Sequence, residues 1–498
     1  MTTAVVVGAG VGGLAVAARL AAGGHRVTVV EQADAVGGKL GWWCRDGVGF
    51  DTGPSLLTLP QVLRDTFTET GGWPESLVLH ELSPISRVQF ADGSGFEVHR
   101  DLDRLCTDLD AWSPGAGADW RRIALRAQRI WEAVHGPFLE RELHGARTLL
   151  GLALRHPRAL PLVAPWQSLA GLGAQFLRDP RLQQFLWRYA TYAGSDPRRA
   201  PAALASIPYA EHQFGGWYVT GGLRRIADEL AARARERGAR IRLQSDVRRV
   251  LVEGGHAAGV ELADGERLRA ELVVCNADAG TLYAELLEAP QGRRSATRLA
   301  QAPRSYSGLA VLLGVRGERP AAAAQHTVLL PRNYSAEFDA LAAGRMPADP
   351  AIYVSIPDDP AVAADGVHPW FVLLNAPRSD QPDATLPGAA EVLDLLAERG
   401  LDVRDRVAFA AVRTPHDLAV GTRSPGGAIY GTSSDGPRAA FLRPANRSPV
   451  PGLFLVGGSA HPGGGLPLVL LSAAIVARLI GPARAGRAGP RATSSTTA

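Results

Sequence analysis

Short apolar runs and one helical pattern alternate near the start of the chain. Residues 4–7 form a β-branched run that ends at a glycine, which is typical of a buried parallel strand. Residues 14–22 carry leucine, valine and alanine in a helical pattern, and a second β-rich run follows at residues 26–30. The pattern therefore predicts a strand, a glycine-rich turn, a helix and a second strand.

Three glycines of the predicted turn have separate physical roles. Gly8 permits a tight turn, Gly10 lets a pyrophosphate approach the backbone, and Gly13 lets the helix pack closely on the strand. The helix N-terminus then presents N–H groups and the positive end of its dipole to phosphates. Glu31 ends the second strand, where it is placed to accept hydrogen bonds from an adenosine ribose. Together these residues predict a dinucleotide site.

The C-terminal part of the chain repeats the order of strand, turn and helix. An apolar run at residues 453–456 leads into a glycine-rich segment that contains Gly458 and Gly464, and an apolar helical stretch begins at residue 466. Pro467 falls in the first helical turn, where a missing N–H costs little. We expect this second helix start to face a phosphate or another anion, and thus to complete the same cofactor site.

Three further patterns predict the architecture between these two ends. A glycine-rich stretch at residues 215–222 introduces an amphipathic helix over 224–238, and a β-rich unit then ends in a strand at 272–278. Residues 100–210 carry few β-rich runs, which favours helices. Residues 285–440 alternate short strands with loops, which favours a mixed sheet.

Composition excludes several other classes of protein. The 498 residues are 46% hydrophobic, which is enough for a large core, and a net charge of +4 is too small to indicate nucleic-acid binding. The three cysteines are far apart, so neither a disulfide framework nor a zinc site is expected. His326, His368 and His416 are each isolated, so we expect no metal and interpret them as surface or hydrogen-bonded residues.

The arginine-rich stretch at residues 147–178 has two interpretations. It carries four arginines and no acidic residue among many leucines, which suits a peripheral contact with an anionic membrane surface. The alternative is a helical lid whose leucines form core. No apolar run is long enough to span a bilayer, and no basic segment precedes the first strand. We expect a cytoplasmic protein that associates peripherally with the membrane.

Four segments resemble the phytoene desaturase family of carotenoid desaturases. They are the N-terminal unit of strand, glycine turn, helix and strand, Phe-Asp-Thr-Gly-Pro at 50–54, Trp-Tyr-Val-Thr-Gly-Gly at 217–222 and the glycine block at 457–472. The run His-Pro-Gly-Gly-Gly-Leu-Pro within the last block is the most diagnostic. Its version with leucine after the second proline is more similar to members that act on the C-3,4 bond of hydroxylated or acyclic carotenoids.

The resemblance implies an FAD site with further contacts. Val-Gly-Gly-Lys-Leu at 36–40, followed by residues 50–54, resembles the two-dinucleotide-binding-domain flavoproteins. That family places the FAD pyrophosphate and ribityl chain on residues that correspond to Gly38, Lys39, Gly53 and Pro54, and an adenine-contacting backbone at Val247. Arginine is more common in the family where this chain has Lys39. Lysine keeps the charge but loses the forked geometry of a guanidinium, so this contact is expected to be rearranged.

The resemblance also implies a fold and a division into segments. The fold is α/β, with a Rossmann-like FAD-binding domain, a mixed-sheet substrate domain and a helical lid or membrane region. The FAD-binding domain would comprise residues 1–95, 211–284 and 441–482, the helical region 96–210, the substrate domain 285–440 and a disordered tail 483–498.

The implied activity is FAD-dependent introduction of C=C bonds into a long apolar carotenoid, either phytoene or a later hydroxylated intermediate. A single GxGxxG unit indicates one dinucleotide, so oxygen or a membrane quinone rather than NAD(P)⁺ is expected to accept the electrons. Asp51 and His461 are the candidates for accepting a proton, although Asp51 is also suited to capping a turn.

Other activities on the same fold remain open at this point. A carotenoid isomerase, an amine-oxidase-like flavoenzyme and a nonenzymatic prenyl-binding escort protein are the alternatives. The intact glycine turn and Glu31 argue against an escort protein that has lost its flavin. An amine oxidase would be expected to carry an aromatic pair near the flavin and a carboxylate for its substrate, and the sequence identifies neither.

Overall fold

The protein is described by a computed structural model that covers residues 2–143, 164, 166–436, 439 and 443–483. Most of the arginine-rich stretch, including Arg147, Arg155 and Arg158, lies outside the described residues. The same holds for residues 484–498 of the predicted tail. The predictions made for these two segments therefore stay predictions.

Strands and helices follow the predicted order at both ends of the chain. The strands are β1 (Thr3–Val7), β2 (Arg26–Val30), β3 (Trp42–Arg45), β4 (Val48–Asp51), β5 (Leu79–Glu81), β6 (Ser86–Gln89), β7 (Gly95–Val98), β8 (Trp217–Val219), β9 (Arg240–Arg242), β10 (Val247–Glu253), β11 (His256–Leu262), β12 (Arg267–Arg269), β13 (Leu272–Cys275), β14 (Ser307–Arg316), β15 (His326–Leu329), β16 (Ile352–Ser355), β17 (Val367–Ala376), β18 (Val407–Arg413) and β19 (Leu453–Leu455). The α-helices are α1 (Val11–Ala22), α2 (Pro60–Thr70), α3 (Leu102–Trp112), α4 (Ala116–Val134), α5 (Leu169–Phe176), α6 (Pro180–Thr191), α7 (Ser206–Phe214), α8 (Arg224–Glu236), α9 (Ala279–Thr281), α10 (Arg293–Gln301), α11 (Tyr334–Ala342), α12 (Ala389–Glu398), α13 (Pro415–Thr422) and α14 (Leu466–Ile480).

A parallel sheet in the order β19-β13-β1-β2-β9 forms the centre of the first unit. Its strands come from three distant parts of the chain. β1 lies in the middle, and Ala4 to Val7 are all buried because helices or further strands cover both faces. Helix α1 packs on this sheet between α8 and α14, where Leu14, Leu230 and Leu470 share one hydrophobic core. The predicted Rossmann-like unit is confirmed.

A larger sheet has the order β18-β14-β17-β16-β15-β6-β7. Its pairs are antiparallel except for β15 with β6, and β14 pairs with β17 over ten residues. The predicted mixed sheet is thus present. It also takes β6 and β7 from residues 86–98, ahead of the predicted segment 285–440. The pairing of β6 with β15 joins strands more than 200 residues apart, so no local sequence pattern predicts it.

Helices α3 to α7 form the region that the scarcity of β-rich runs predicts. Trp120, Phe185 and Tyr189 are fully buried there, and Phe185 contacts the other two rings. They belong to an apolar core that also includes residues at the edge of the mixed sheet. Within the described ranges, no helix combines the length and the apolar character that crossing a bilayer requires.

Arg233 on α8 ties the helix layer of the parallel sheet together. Its guanidinium donates to the carbonyl oxygens of Phe67 at 3.1 Å and Gly72 at 2.8 Å, at the end of α2. Replacing Arg233 by methionine should lower the free energy of unfolding by about 2–4 kcal/mol, because the Gly72 carbonyl loses this donor, the Phe67 carbonyl loses one of its donors and Glu236 loses its ion pair. Arg235→Met, which changes an exposed residue of the same helix, should have little effect. Urea unfolding of the FAD-free proteins gives the comparison, and equal midpoints would contradict the assignment.

Candidate functional site

The turn between β1 and α1 leaves the start of the helix open. Gly8 has φ +94°, a conformation that side chains rarely allow, and its N–H donates to the carbonyl of Val30 at 2.8 Å. Gly10 precedes the first residue of α1, and no side chain caps this helix end. The first-turn N–H groups of α1 are therefore available to an anionic ligand.

Two glycines of this turn are required for different reasons. A side chain at Gly13 would overlap the backbone carbonyl of Gly8, so only glycine lets α1 rest on β1. A side chain at Gly10 would meet only the end of the Asn276 side chain, 2.8 Å away. Packing therefore explains Gly13, whereas Gly10 keeps open a space that packing does not need. A pyrophosphate that approaches the backbone closely requires this open space at Gly10.

Glu31 lies at the end of β2 and is almost fully buried. Its carboxylate accepts from the N–H of Ala9 at 2.6 Å and from the N–H of Ala33 at 3.0 Å. Each oxygen keeps acceptor capacity for a hydroxyl group. Its backbone carbonyl accepts from Ser245, two residues before Val247, which starts β10 and is buried. The two residues predicted to hold the adenosine part thus lie close together.

The second glycine pair joins the first turn. Gly37 and Gly10 form a bridge, and Gly38 lies against Gly10 with φ +58°. A side chain at Gly37 would begin 3.4 Å from the guanidinium of Arg224. Arg224 is a residue that the sequence analysis missed as a site residue, since it was interpreted only as the start of a helix. Its charge at this position is suited to a phosphate.

Asn276 is the second residue that sequence reasoning missed. Its amide lies between the N-terminal and C-terminal turns, where side chains at Gly12 or Gly457 would each come within 2.6 Å of its Oδ1 atom. The available signal was its place directly after β13, because ligands of parallel sheets bind at the carboxyl ends of the strands.

The C-terminal turn has the predicted order, and α14 begins at Leu466 with Pro467 in its first turn. Gly464 packs against the ring of Tyr430, and a side chain there would overlap that ring. Arg443 donates to the carbonyls of Gly458 at 2.8 Å and Tyr430 at 2.9 Å. Arg443 therefore fixes this turn from inside the protein.

Three cations lie around the buried carboxylate of Asp278, close to the glycine turns. Burial lowers the pKa of Lys39 to about 8 and that of Arg443 to about 10, and in both cases Asp278 opposes the effect. Arg304 pairs with Asp278 at 3.2 Å and adds a third cation. One carboxylate thus faces three cations, and an anionic cofactor would balance the excess. The glycine cradle and this charge fit the diphosphate of FAD.

The side chain of Lys39 is hydrogen-bonded to the backbone, and its carbonyl packs against the loop at residues 53–54. The Lys39 Nζ atom donates to the carbonyls of Ala428 at 2.8 Å and Ile429 at 2.7 Å, which leaves one of its three donors. Gly53 lies so close to the Lys39 carbonyl that any side chain would overlap it, and Pro54 follows. The predicted cofactor contact of Lys39 would therefore use a single N–H.

Asp51 caps the start of α8. Its two oxygens accept from the N–H groups of Leu223 at 2.7 Å and Arg224 at 2.8 Å. Burial raises the pKa of Asp51 to about 7, and the two backbone hydrogen bonds oppose that rise. These contacts agree with the capping interpretation, and the proposed role as a proton acceptor stays a prediction.

His461 is fully buried beside the helical region. Its Nε2 atom lies 2.9 Å from the carbonyl oxygen of Phe138 and 2.8 Å from that of Arg141, so this nitrogen carries the proton. Burial lowers the pKa of His461 to about 4, which keeps the ring neutral. The contacts give His461 a structural role, and its role in catalysis also stays a prediction.

Comparison with known proteins identifies the family. A family model described as flavin containing amine oxidoreductase matches residues 11–481. The chain belongs to this family. It is therefore an FAD-containing oxidoreductase, as the glycine turns predict.

Individual relatives are similar over nearly the whole chain. Hydroxyneurosporene desaturase of Cereibacter sphaeroides is 35% identical over 94% of this chain and 95% of its own length. The 1-hydroxycarotenoid 3,4-desaturase of a Flavobacterium species is 31% identical over 96% of this chain and 99% of its own length. The 4,4'-diapolycopene oxygenase of a Methylomonas species is 32% identical over 95% of this chain and 96% of its own length. The resemblance to carotenoid desaturases is confirmed.

Solved structures share the fold. Cyclohexylamine oxidase from Brevibacterium oxydans has a TM-score of 0.62 at 17% identity and covers 96% of this chain and 99% of its own. An oxidoreductase from Methanosarcina mazei has a TM-score of 0.62 at 18% identity, and the match covers 95% of this chain and 99% of that protein. At these identities the likeness concerns the fold, which confirms the predicted α/β flavoprotein class.

The two glycines give a test of the cofactor site. Gly10→Ala should leave the protein folded and lower its affinity for FAD about tenfold or more, because the methyl group occupies the space kept for the pyrophosphate. Gly13→Ala should also lose stability, because its methyl group overlaps the Gly8 carbonyl. Visible flavin absorbance per protein and thermal unfolding measure the two effects. Gly421→Ala, in open space, is the control, and full flavin content in Gly10→Ala would contradict the site.

Proposed function

We propose that the protein is an FAD-dependent carotenoid desaturase that introduces C=C bonds into an acyclic carotenoid, with the C-3,4 bond of a hydroxylated carotenoid as its preferred site. The observation that carries the proposal is the near full-length similarity to proteins named hydroxyneurosporene desaturase and 1-hydroxycarotenoid 3,4-desaturase. The phytoene desaturase of Cereibacter sphaeroides, 31% identical, supports the wider class.

The surroundings of the site suit an apolar substrate. Trp43, Phe50 and Phe409 contact one another with ring centroids 5.4 to 6.1 Å apart, beside the loop at residues 53–54. Such walls exclude water and hold a hydrocarbon chain by dispersion. Desaturation removes a hydride from one carbon and a proton from its neighbour, and bound FAD supplies the hydride acceptor. The residues of this chain then have to orient the substrate and keep the site dry.

Other activities receive less support. Asp51, beside the proposed cofactor loop, is not free to pair with a protonated amine, because its oxygens already accept from backbone N–H groups. An escort protein without flavin would not need to keep Gly10 free of a side chain. A carotenoid isomerase would share the site, so only product analysis separates it from a desaturase.

Oxygen or a membrane quinone is the proposed electron acceptor. The β1–α1 turn is the one complete GxGxxG unit of the sequence, and the cofactor is proposed to occupy it. The other glycine clusters lack the spacing and the following acidic residue that a nicotinamide dinucleotide needs.

The purified flavoprotein in liposomes should desaturate a 1-hydroxylated acyclic carotenoid, with repeated anaerobic turnover when a quinone is present. NADP⁺ in place of the quinone should give no turnover beyond the bound flavin. Pigment analysis by chromatography detects the new double bonds, and flavin-depleted Gly10→Ala is the control. Turnover with NADP⁺ alone would contradict the single-dinucleotide interpretation, whereas isomerised product without new double bonds would favour an isomerase.

A membrane contact is proposed for one face of α4. Arg122, Leu125, Arg126 and Arg129 line a cavity of about 440 Å³ with Phe176. Leu125 is 52% exposed. Arg129 adds a further cation to this face. Phospholipid head groups supply anions for these cations. This face adjoins the arginine-rich stretch that the sequence analysis singled out.

The double variant Leu125→Asn/Arg129→Glu should weaken binding to liposomes that contain anionic lipid, because it removes an inserting side chain and reverses a charge. Arg293→Glu, an exposed residue of α10, makes the same charge change elsewhere. Co-sedimentation at low and high salt measures the effect. Unchanged binding of the double variant would favour the lid interpretation of this region.

A further inference from the structure

A group of buried and part-buried polar side chains lies where the helical region meets the mixed sheet. We call it the polar cluster. Its members are Ser55, Arg188, Tyr192, Glu211, His326 and Tyr353. The surroundings are apolar, since Tyr353 packs against the core of the helices on one side and the aromatic wall around Phe50 on the other. Burying polar groups in apolar surroundings costs free energy unless each group has a hydrogen-bond partner.

One half of the polar cluster is a chain of hydrogen bonds. The Tyr353 hydroxyl lies 2.6 Å from Ser55 Oγ and 2.6 Å from His326 Nδ1. His326 is 1% exposed, and its Nε2 atom has no partner among the described residues. The sequence analysis interpreted His326 as a surface or hydrogen-bonded residue. It is hydrogen-bonded and lies in the interior.

The other half surrounds a buried cation. The guanidinium of Arg188 lies over the ring of Tyr192, 4.9 Å from its centroid. Tyr189 donates to Glu211 at 2.7 Å, while the second oxygen of Glu211 has no partner among the described residues. Arg188 and Glu211 balance each other in charge. The polar cluster as a whole is therefore close to neutral and retains unused donors and acceptors.

The position of the polar cluster relates it to the proposed flavin loops. Ser55 directly follows Pro54 of the first loop. Tyr430 packs on Gly464 of the second loop and on Gly194, two residues after Tyr192. The polar cluster therefore lies beside the two loops that are proposed to hold the cofactor.

From this placement we infer that the polar cluster binds the hydroxyl group of a hydroxylated carotenoid, with His326 Nε2 and Arg188 as the contacting groups. The inference rests on the proposed function. In a 1-hydroxylated carotenoid, a single carbon separates the carbon that bears the hydroxyl group from the 3,4 bond. When that bond reacts, the hydroxyl group must lie close to the flavin, and the polar cluster supplies partners there.

The chemistry of the polar cluster favours a neutral hydroxyl over a charged group. Burial and the nearby Arg188 lower the pKa of His326 to about 3, so its ring is neutral. A hydroxyl both donates and accepts, so it can pair with Nε2 in either tautomer of the ring. An end group without a hydroxyl would leave these buried atoms unpaired, which is the physical basis of strong discrimination. Tyr353 then acts as a positioning residue, because it orients the imidazole.

The test compares two substrates on matched variants. His326→Gln and Tyr353→Phe should each lower kcat/KM for a 1-hydroxylated acyclic carotenoid by about 10- to 100-fold, while the value for the same carotenoid without the hydroxyl stays within about twofold. Tyr283→Phe removes a buried hydroxyl that lies 3.2 Å from Ser448 on the far side of the parallel sheet, and it should change neither value. Flavin content and thermal unfolding verify that each variant folds.

Binding supplies a second readout. The dissociation constant of the hydroxylated carotenoid, measured on the oxidised protein without an electron acceptor, should rise in His326→Gln, and that of the hydrocarbon should not. Equal losses for both substrates, or an unchanged preference for the hydroxylated one, would overturn the inference. If the flavin-loaded wild-type protein desaturates no carotenoid, the proposed function itself fails, which is a different outcome.

Discussion

The close approach of α1 to β1 is the constraint on which the rest of the structure depends. A side chain at Gly13 would overlap the backbone carbonyl of residue 8, so the helix rests on the central strand only because residue 13 is glycine. Gly8 is required for a different reason, the φ of +94° in the turn. The contact of α1 with β1 aims the open N-terminus of α1 at the carboxyl edge of the sheet. Asn276 comes to the same edge because β13 pairs in parallel with β1, and Arg224 reaches it from the start of α8, beside Gly37.

Charge and polarity are concentrated at two places in an otherwise apolar interior. Lys39, Arg304 and Arg443 surround Asp278 at the glycine turns, and their positive excess suits a diphosphate. The polar cluster around Arg188 is balanced instead by Glu211, which suits a neutral partner. A low-dielectric environment makes both arrangements costly when their groups are left unpaired. The two sites thus differ in the kind of ligand that stabilises them.

Local patterns predicted the elements on which the cofactor site is built. The β-branched run of β1, the glycines and the acid at the end of β2 each have a physical reason that depends only on near neighbours in sequence. The same holds for α14, whose apolar pattern and early proline fix its start at Leu466. The capping role of Asp51 was one of two sequence interpretations, and the backbone contacts at Leu223 and Arg224 give it direct support.

The sequence by itself therefore determined the dinucleotide turn, the parallel unit around it and the class of cofactor, because glycine conformation, strand burial and helix starts are short-range properties. Only the tertiary structure decided that β6 joins β15, that Arg224 faces Gly37 and that His326 lies in the interior beside Tyr353. Each of these depends on contacts between residues far apart in the chain. Such contacts follow from how whole sheets and helices pack, and no local periodicity encodes them.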